Sequence, residues 1–456
     1  MKIGNWIPIA IGTKIETWKL KMKMLYNGLL IVALFLLSGC SAQKASTSIT
    51  IDDLITLSEV SRIENTLASD EMQGRRAFTP GIEKAAEFIA SEFKSIGLQT
   101  PASSNGYLQS FALVRAKAVS VSVKLDGTAL DPKEFLVFTN SRELKLNQGS
   151  GFEKIRIKTG SNLQTEARKY THSGKNYLVL VDKSFANSFG NLARLRTNIF
   201  KAENHVVFIL SDTDPVNYEI NATHEITEQP LANVVGILPG KSKANEYVIF
   251  SAHYDHMGIG KAINGDSIYN GANDNAAGVT AMILLARYFK SINNNERTLI
   301  FAAFTAEEIG GYGSQHFSRQ YDPGKVMAMF NIEMIGTESK WGKNSAFITG
   351  YEKTNMGEIL NKDLAGSGFT FYPDPYPAQQ LFYRSDNATL ARLGVPAHTI
   401  STSKMDTEPH YHKPSDHVET LDLVNMTAII KAIAISSKTI VAGTATPSRV
   451  KVEDLR

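Results

Sequence analysis

From about residue 231 the chain alternates apolar runs with helical patterns, and that alternation restricts the fold more than any other feature. Strand patterns at residues 247–252, 298–304 and 326–332 are separated by helical ones at 278–292 and 312–319. A shorter helix and strand follow at 388–393 and 397–401, and 424–441 reads as a closing helix. Strands that alternate with helices require a sheet with parallel members covered on both faces. The expected fold class is therefore α/β, with a mixed, largely parallel sheet sandwiched by helices. In such sheets ligands gather beyond the carboxyl ends of the strands.

Acidic and imidazole side chains stand at those ends. His253 and Asp255 follow the first strand, and an i, i+2 pair projects to one side of an extended backbone. That spacing lets His253 bind a metal while Asp255 orients its ring. Asp274 sits in Gly271-Ala272-Asn273-Asp274-Asn275-Ala276-Ala277-Gly278, just before a helix, where glycines allow tight turns. Glu307 and Glu308 follow the second strand; adjacent carboxylates point differently, so one can bind a metal while the other faces water. Glu333 ends the third strand, and His412 lies in Tyr411-His412-Lys413-Pro414-Ser415-Asp416. Cys40 is the only cysteine, so intrachain disulfides and thiolate sites are excluded and any metal must be held by His, Asp and Glu.

The amino terminus reads as a targeting device. Lys21 and Lys23 precede an apolar run at 29–37, too short for a permanent span but suited to a signal segment. It ends in Leu37-Ser38-Gly39-Cys40, which resembles a bacterial lipobox with Cys40 as the lipidated residue. The expected partition is a signal peptide over 1–39 and a lipid-anchored tether over 40–50, with Met22 or Met24 as a natural start. The leader's five Lys and one Glu carry +4 of the chain's +3, which leaves about −1 for the remainder. Without a basic stripe interleaved with aromatics, nucleic acid is not an expected partner. Cys40 makes the membrane one. Ser41 in the place of a retention Asp points to the outer membrane, facing the periplasm, as the cell-envelope location.

Beyond the tether, residues 51–107 contain an amphipathic helix at 82–96 stopped by Gly97. Residues 108–230 differ: alternating stretches at 119–125, 177–181 and 206–210 read as strands, and the region is expected to be an inserted, mostly β part. The α/β domain is then 231–445, with a tail at 446–456.

His253-Tyr254-Asp255, Asn273-Asp274-Asn275, Thr305-Ala306-Glu307-Glu308, Asn331-Ile332-Glu333-Met334-Ile335-Gly336 and Tyr411-His412 stand in an order that resembles the M28 family of zinc aminopeptidases. The similarity covers roughly 231–440, and Gly74-Arg75-Arg76 with its helix resembles the family's amino-terminal part. Five ordered motifs are far more specific than one. The resemblance implies a zinc-exopeptidase-like fold and two Zn2+ per chain. Asp274 would bridge them, His253 and Glu333 would complete one site, and Glu308 and His412 the other. Glu307 would be the general base toward the metal-bridging water, and Tyr411 a donor to the oxyanion. A cis peptide is implied at Asp274-Asn275. Glu333 departs from the family's usual Asp, but its carboxylate is still a suitable zinc ligand. The inserted region is similar to a protease-associated domain, though its motif is faint.

The implied function is an aminopeptidase acting on peptides. Three alternatives stand beside it: a one-zinc glutaminyl cyclase-like acyltransferase, a carboxypeptidase or dipeptidase with the same centre, and an inert binding protein. Arg384 bears on polarity, either holding a substrate carboxylate or pairing with Asp386. Tyr372, Tyr376, Phe382 and Tyr383 either line a specificity pocket or pack in the core. His172, His205, His224, His316 and His398 read as ordinary structural or surface residues. His256, His410 and His417 neighbour the motifs without being ligands by register, with one of them available to line a channel.

Overall fold

Arg297–Phe304 is buried at every residue, which only a strand covered on both faces can sustain. Its period of two deals Leu299, Phe301 and Ala303 to one core and Ile300, Ala302 and Phe304 to the other. The computed structural model describes Met1, residues 18–19, 21–24, 50–102, 104–171, 173–196, 199–201 and 204–455. Residues 51–456 form one compact unit. The lipobox, Cys40, most of the leader and His172 lie outside the described residues. Among the described residues no helix is long and apolar enough to cross a membrane.

The main sheet contains β1 (Leu108–Leu125), β2 (Tyr218–Leu238), β3 (Lys243–His253), β4 (Arg297–Phe304), β5 (Val326–Ile332), β6 (Ser345–Ile348), β7 (Thr370–Pro373) and β8 (Ala397–Ser401). Their spatial order is β7-β6-β8-β5-β3-β4-β2-β1. The pairs β3–β4, β3–β5, β5–β8 and β6–β7 are parallel, whereas β4–β2, β8–β6 and β2–β1 are antiparallel. The sheet is thus mixed with a parallel centre, and the carboxyl ends of β3, β4 and β5 lie side by side.

On one face pack α1 (Leu57–Leu67), α2 (Pro80–Ile96), α3 (Ala277–Ile292) and α6 (Leu423–Ser436); on the other lie α4 (Tyr312–Ser318) and α5 (Asn387–Ala391). α3 is apolar nearly all round because the sheet and three helices enclose it. Phe250 of β3 stacks on Phe301 and Phe330, with ring centroids 5.6 and 4.9 Å apart, and leans on Phe289 of α3. Truncating such a residue to Ala typically costs about 3–5 kcal/mol.

Three elements differ from the expected ones. The closing helix breaks at Ser437, whose hydroxyl turns back onto the carbonyls of Ile433 and Ala434, and a separate turn of helix, Lys438–Val441, follows. The strand expected at 119–125 starts eleven residues earlier, because β1 pairs along its length with residues 218–234 of β2 in one long antiparallel ribbon. β2 also runs through residue 230 into the main sheet, so the inserted region and the sheet share this strand. That region also holds a separate four-stranded sheet of Phe135–Phe138, Val206–Leu210, Tyr177–Val181 and Glu153–Ile157, in that order, and a strand Glu143–Asn147 that pairs with β2.

Candidate metal centre

The motifs deliver their side chains to the same end of the sheet. His253 is the last residue of β3; Glu307 and Glu308 follow β4, and Glu333 follows β5. Asp274 lies in the turn that opens α3, and its peptide bond to Asn275 is cis. Gly278 passes so close to the carbonyl of Ile332 that a Cβ there would collide with it, which seats this turn against the end of β5.

Asp274 stands between two imidazoles. His253 Nε2 is 3.3 Å from its Oδ1, and His412 Nε2 is 3.3 Å from its Oδ2. His412 Nε2 is also 3.2 Å from Glu308 Oε2. One donor atom each from His253, Asp274 and Glu333 lies within 4.8 Å of the others, and the same holds for His256, Asp274 and Glu308. His253 Nε2 and Glu333 Oε2 are buried without a hydrogen-bond partner. In the first group, close donors that are not aligned to bond one another are what a shared cation requires. Two donors on a tetrahedral zinc, each about 2.0–2.1 Å from it, stand roughly 3.3 Å apart. The residues therefore fit a pair of divalent cations with Asp274 common to both.

The electrostatics point the same way. Burial alone would raise the Asp274 carboxyl, but the two imidazoles beside it outweigh burial and hold it below the usual carboxylate range. Burial pushes Glu307 well up, and it pushes Glu333 up to about 7. Burial also raises the Tyr411 phenol, keeping its proton in place for donation. Tyr411 stacks on the His412 ring at 3.9 Å.

Asp255 acts through a different contact from the one its spacing suggests. Its backbone carbonyl, 3.1 Å away, meets His253 Nδ1, while its carboxylate is 3.8 Å from that nitrogen. The carboxylate instead accepts the backbone N–H groups of Glu307 at 3.0 Å and Glu308 at 3.3 Å, pinning the turn that carries both.

Several residues organise the centre to which sequence gave no such role. Asp416 accepts the N–H groups of Asn273 and Asp274 at 2.9 and 3.0 Å. Asn273 Oδ1 accepts from Gly336 N, and Asn275 bonds Ile332 O and Met334 N, so the neighbours of Asp274 hold the Glu333 loop. His256 is fully buried with Nδ1 2.8 Å from Glu308 Oε1, which leaves Oε2 facing His412. The only sequence signal for Asp416 and His256 is their adjacency to the motifs.

The centre opens into a cavity of about 90 Å3 bordered by Asp274, Glu307, Glu308, Glu333, Tyr411 and His412, with Met334, Phe347, Leu381, Met405 and Arg384 among its other walls. Arg384 donates to Gln379 rather than pairing with Asp386. Tyr372, Tyr376, Phe382 and Tyr383 do not border the cavity. Tyr372 stacks on Trp341, and Tyr376 and Phe382 pack in the core. His410 contacts Ser415 and His417 contacts Asp266, so neither joins the cluster. His205, His316 and His398 bond or stack away from it. A larger cleft, about 580 Å3, lies between the four-stranded sheet and α4, and none of the clustered acids reaches it.

A mixed sheet with helices on both faces is the architecture of solved aminopeptidases. An aminopeptidase from Aneurinibacillus sp. strain AM-1 has a TM-score of 0.51 at 18% identity over 89% of this chain and 98% of that one. The zinc aminopeptidase BSAP from Bacillus subtilis has a TM-score of 0.51 at 17% identity, covering 88% and 97%. At such identities the likeness concerns the fold. Residues 233–436 match the sequence model of Peptidase family M28. Aminopeptidase YwaD of Bacillus subtilis (strain 168) is 28% identical over 211 residues, 42% of this chain and 41% of that protein. A probable leucine aminopeptidase of Trichophyton verrucosum (strain HKI 0517) is 29% identical over 204 residues, 42% of this chain and 53% of that one. The chain spans about half the length of the curated relatives it matches.

Proposed function

We propose that this protein is a two-zinc aminopeptidase that removes amino-terminal residues from peptides. One observation carries the proposal: Asp274 presents one oxygen to His253 and the other to His412, the placement of a ligand shared by two cations. His253, Asp274 and Glu333 would hold one zinc, and Asp274, Glu308 and His412 the second. Bound there, the pair would supply Lewis acidity, lowering the pKa of water and polarising the scissile carbonyl.

The chain's own groups supply the rest. Glu307, on the cavity wall, takes a proton from the attacking water on its carboxylate and passes it to the leaving amine. Asp255 holds Glu307 in place through its backbone N–H. Tyr411 donates its phenolic proton to the oxygen that gains negative charge. Met334, Phe347, Leu381 and Met405 give the cavity an apolar side that suits an uncharged amino-terminal side chain.

Zinc titration with elemental analysis, together with hydrolysis of leucyl-para-nitroanilide, tests this reading. Two zinc ions per active chain, and loss of both zinc and activity in Asp274→Ala, are expected; a fully active chain with one zinc refutes it. Arg384 on the cavity wall favours a second reading, in which a substrate carboxylate is gripped and the enzyme acts as a carboxypeptidase or dipeptidase. Amino-blocked and carboxyl-blocked peptides separate the two, since an aminopeptidase cleaves only the carboxyl-blocked set. We further propose that Cys40 anchors the enzyme to the outer membrane facing the periplasm; Cys40→Ser releasing it to the soluble envelope fraction is the expected result.

A further inference from the structure

Arg75 is fully buried, yet among the described residues it makes no ion pair. Its guanidinium donates instead to four backbone carbonyls: Nε to Tyr254 O at 2.8 Å, Nη1 to Leu67 O at 2.7 Å and Asn270 O at 2.6 Å, and Nη2 to Gly271 O at 2.9 Å. Tyr254 lies between His253 and Asp255, and Gly271 starts the turn that carries Asp274. The Arg75 carbonyl accepts the N–H of His256, the residue that touches Glu308. One side chain from the amino-terminal segment thus grips both loops that feed the centre, across 179 to 196 residues of sequence.

The local backbone is built for that reach. Gln73, Gly74 and Arg75 have φ of 51°, 63° and 49°, three left-handed residues in a row, two of which bear the cost of a Cβ there. A Cβ on Gly74 would collide with the carbonyl of Tyr269 and with Gly258, so the turn seats against the hairpin Gly258–Ile263/Asp266–Tyr269 only with glycine.

We infer that Arg75 is a positioning residue that sets the spacing of the His253 and Asp274 loops, and through them the affinity of the centre for its metals. This rests on the metallopeptidase reading above. Two roles are separable because they act in opposite directions. Glu64, Asp416, Asp274 and Asp255 all lie within the field of the guanidinium. If its charge were its contribution, removing it would leave a more negative site that binds cations at least as tightly. If its fork of hydrogen bonds matters, removal loosens the ligands despite the gain in attraction. Lysine keeps the charge but not the fork.

The test is a competition titration of Zn2+ against a chromophoric chelator for wild type, Arg75→Met and Arg75→Lys, with the visible spectrum of the Co2+-loaded proteins as a second readout. Both variants are expected to bind zinc roughly 10–100-fold more weakly, as for other residues that orient metal ligands, and to show altered Co2+ bands. Far-ultraviolet circular dichroism establishes that they fold. Gly74→Ala, which displaces the turn that carries an unaltered Arg75, is expected to weaken binding as well and stands in if Arg75→Met does not fold. Wild-type or tighter affinity in Arg75→Met, or wild-type affinity in Arg75→Lys, overturns the inference. A wild-type chain that takes up no zinc refutes the metallopeptidase reading itself, and the inference with it.

Discussion

The metal end of the main sheet and the inserted lobe are both β structure, yet their polar residues are used in opposite ways. At the metal end, Asp255, Asp416, Asn273 and Asn275 are buried and bonded to main-chain groups, so each fixes the course of a loop. Along the β1–β2 hairpin the pairs Lys117–Glu225 and Lys124–Glu219 are at least half exposed and stay in water. Buried polar groups must be satisfied and therefore specify geometry, whereas exposed ion pairs contribute little and specify little.

The sharpest break of this contrast is at Glu307. Glu307→Gln is expected to lower kcat roughly 10²–10⁴-fold with both zinc ions retained; near-normal turnover in this variant means the metal end has been misread. Next in size is Glu64, buried in α1 with its Oε2 accepting from Thr280 of α3. Burial raises its carboxyl to about 8. With a folded pKa above the unfolded one, its contribution to stability is complete below the ordinary carboxylate range and is lost as pH rises through about 8. Glu64→Gln is expected to gain on wild type by a few kcal/mol, on the order of 1.4 per pKa unit, between pH 5 and pH 9 in urea unfolding. A pH-independent difference counts against it.

Asp416→Ala, which strips the acceptor from two N–H groups beside Asp274, is expected to weaken zinc binding roughly 10–100-fold by chelator competition. The lobe supplies the smallest effect: Lys124→Ala is expected to change stability by less than about 1 kcal/mol and to leave kcat/KM unaltered. A large loss of activity there would erase the distinction between the two regions.

What the sequence made legible follows the same division. β4 could be read because an unbroken apolar run has few alternatives; His253, Glu308 and Glu333 were candidates because they follow strands, and Asp274 and His412 because of the motifs that hold them. The near half of β1 could not be read, since an exposed hairpin strand is held by its partner's register rather than by its own alternation. The end of the last helix at Ser437 depends on a hydroxyl turning back onto the helix, which residue type alone does not announce. Asp255 was visible as a member of the centre, but its carboxylate serves the backbone of Glu307 and Glu308, a contact across two strands that local spacing cannot reveal. The same holds for Arg75, whose partners are all carbonyls and leave no trace in residue identity.

The sharing of β2 has a consequence for anyone who would trim the molecule. Residues 234–238 cover β4, while β1 from Leu108 onward covers the neighbouring part of β2. Excising 108–230 would bare the edge of residues 231–234, including the fully buried Val234, which β1 now covers, while Tyr107 and Gln99 would still bond Val235 and Ile237. Such a flank recruits strands from other molecules. The shortened protein should therefore precipitate rather than survive as a minimal enzyme, and the lobe is better regarded as a continuation of the sheet than as a detachable accessory.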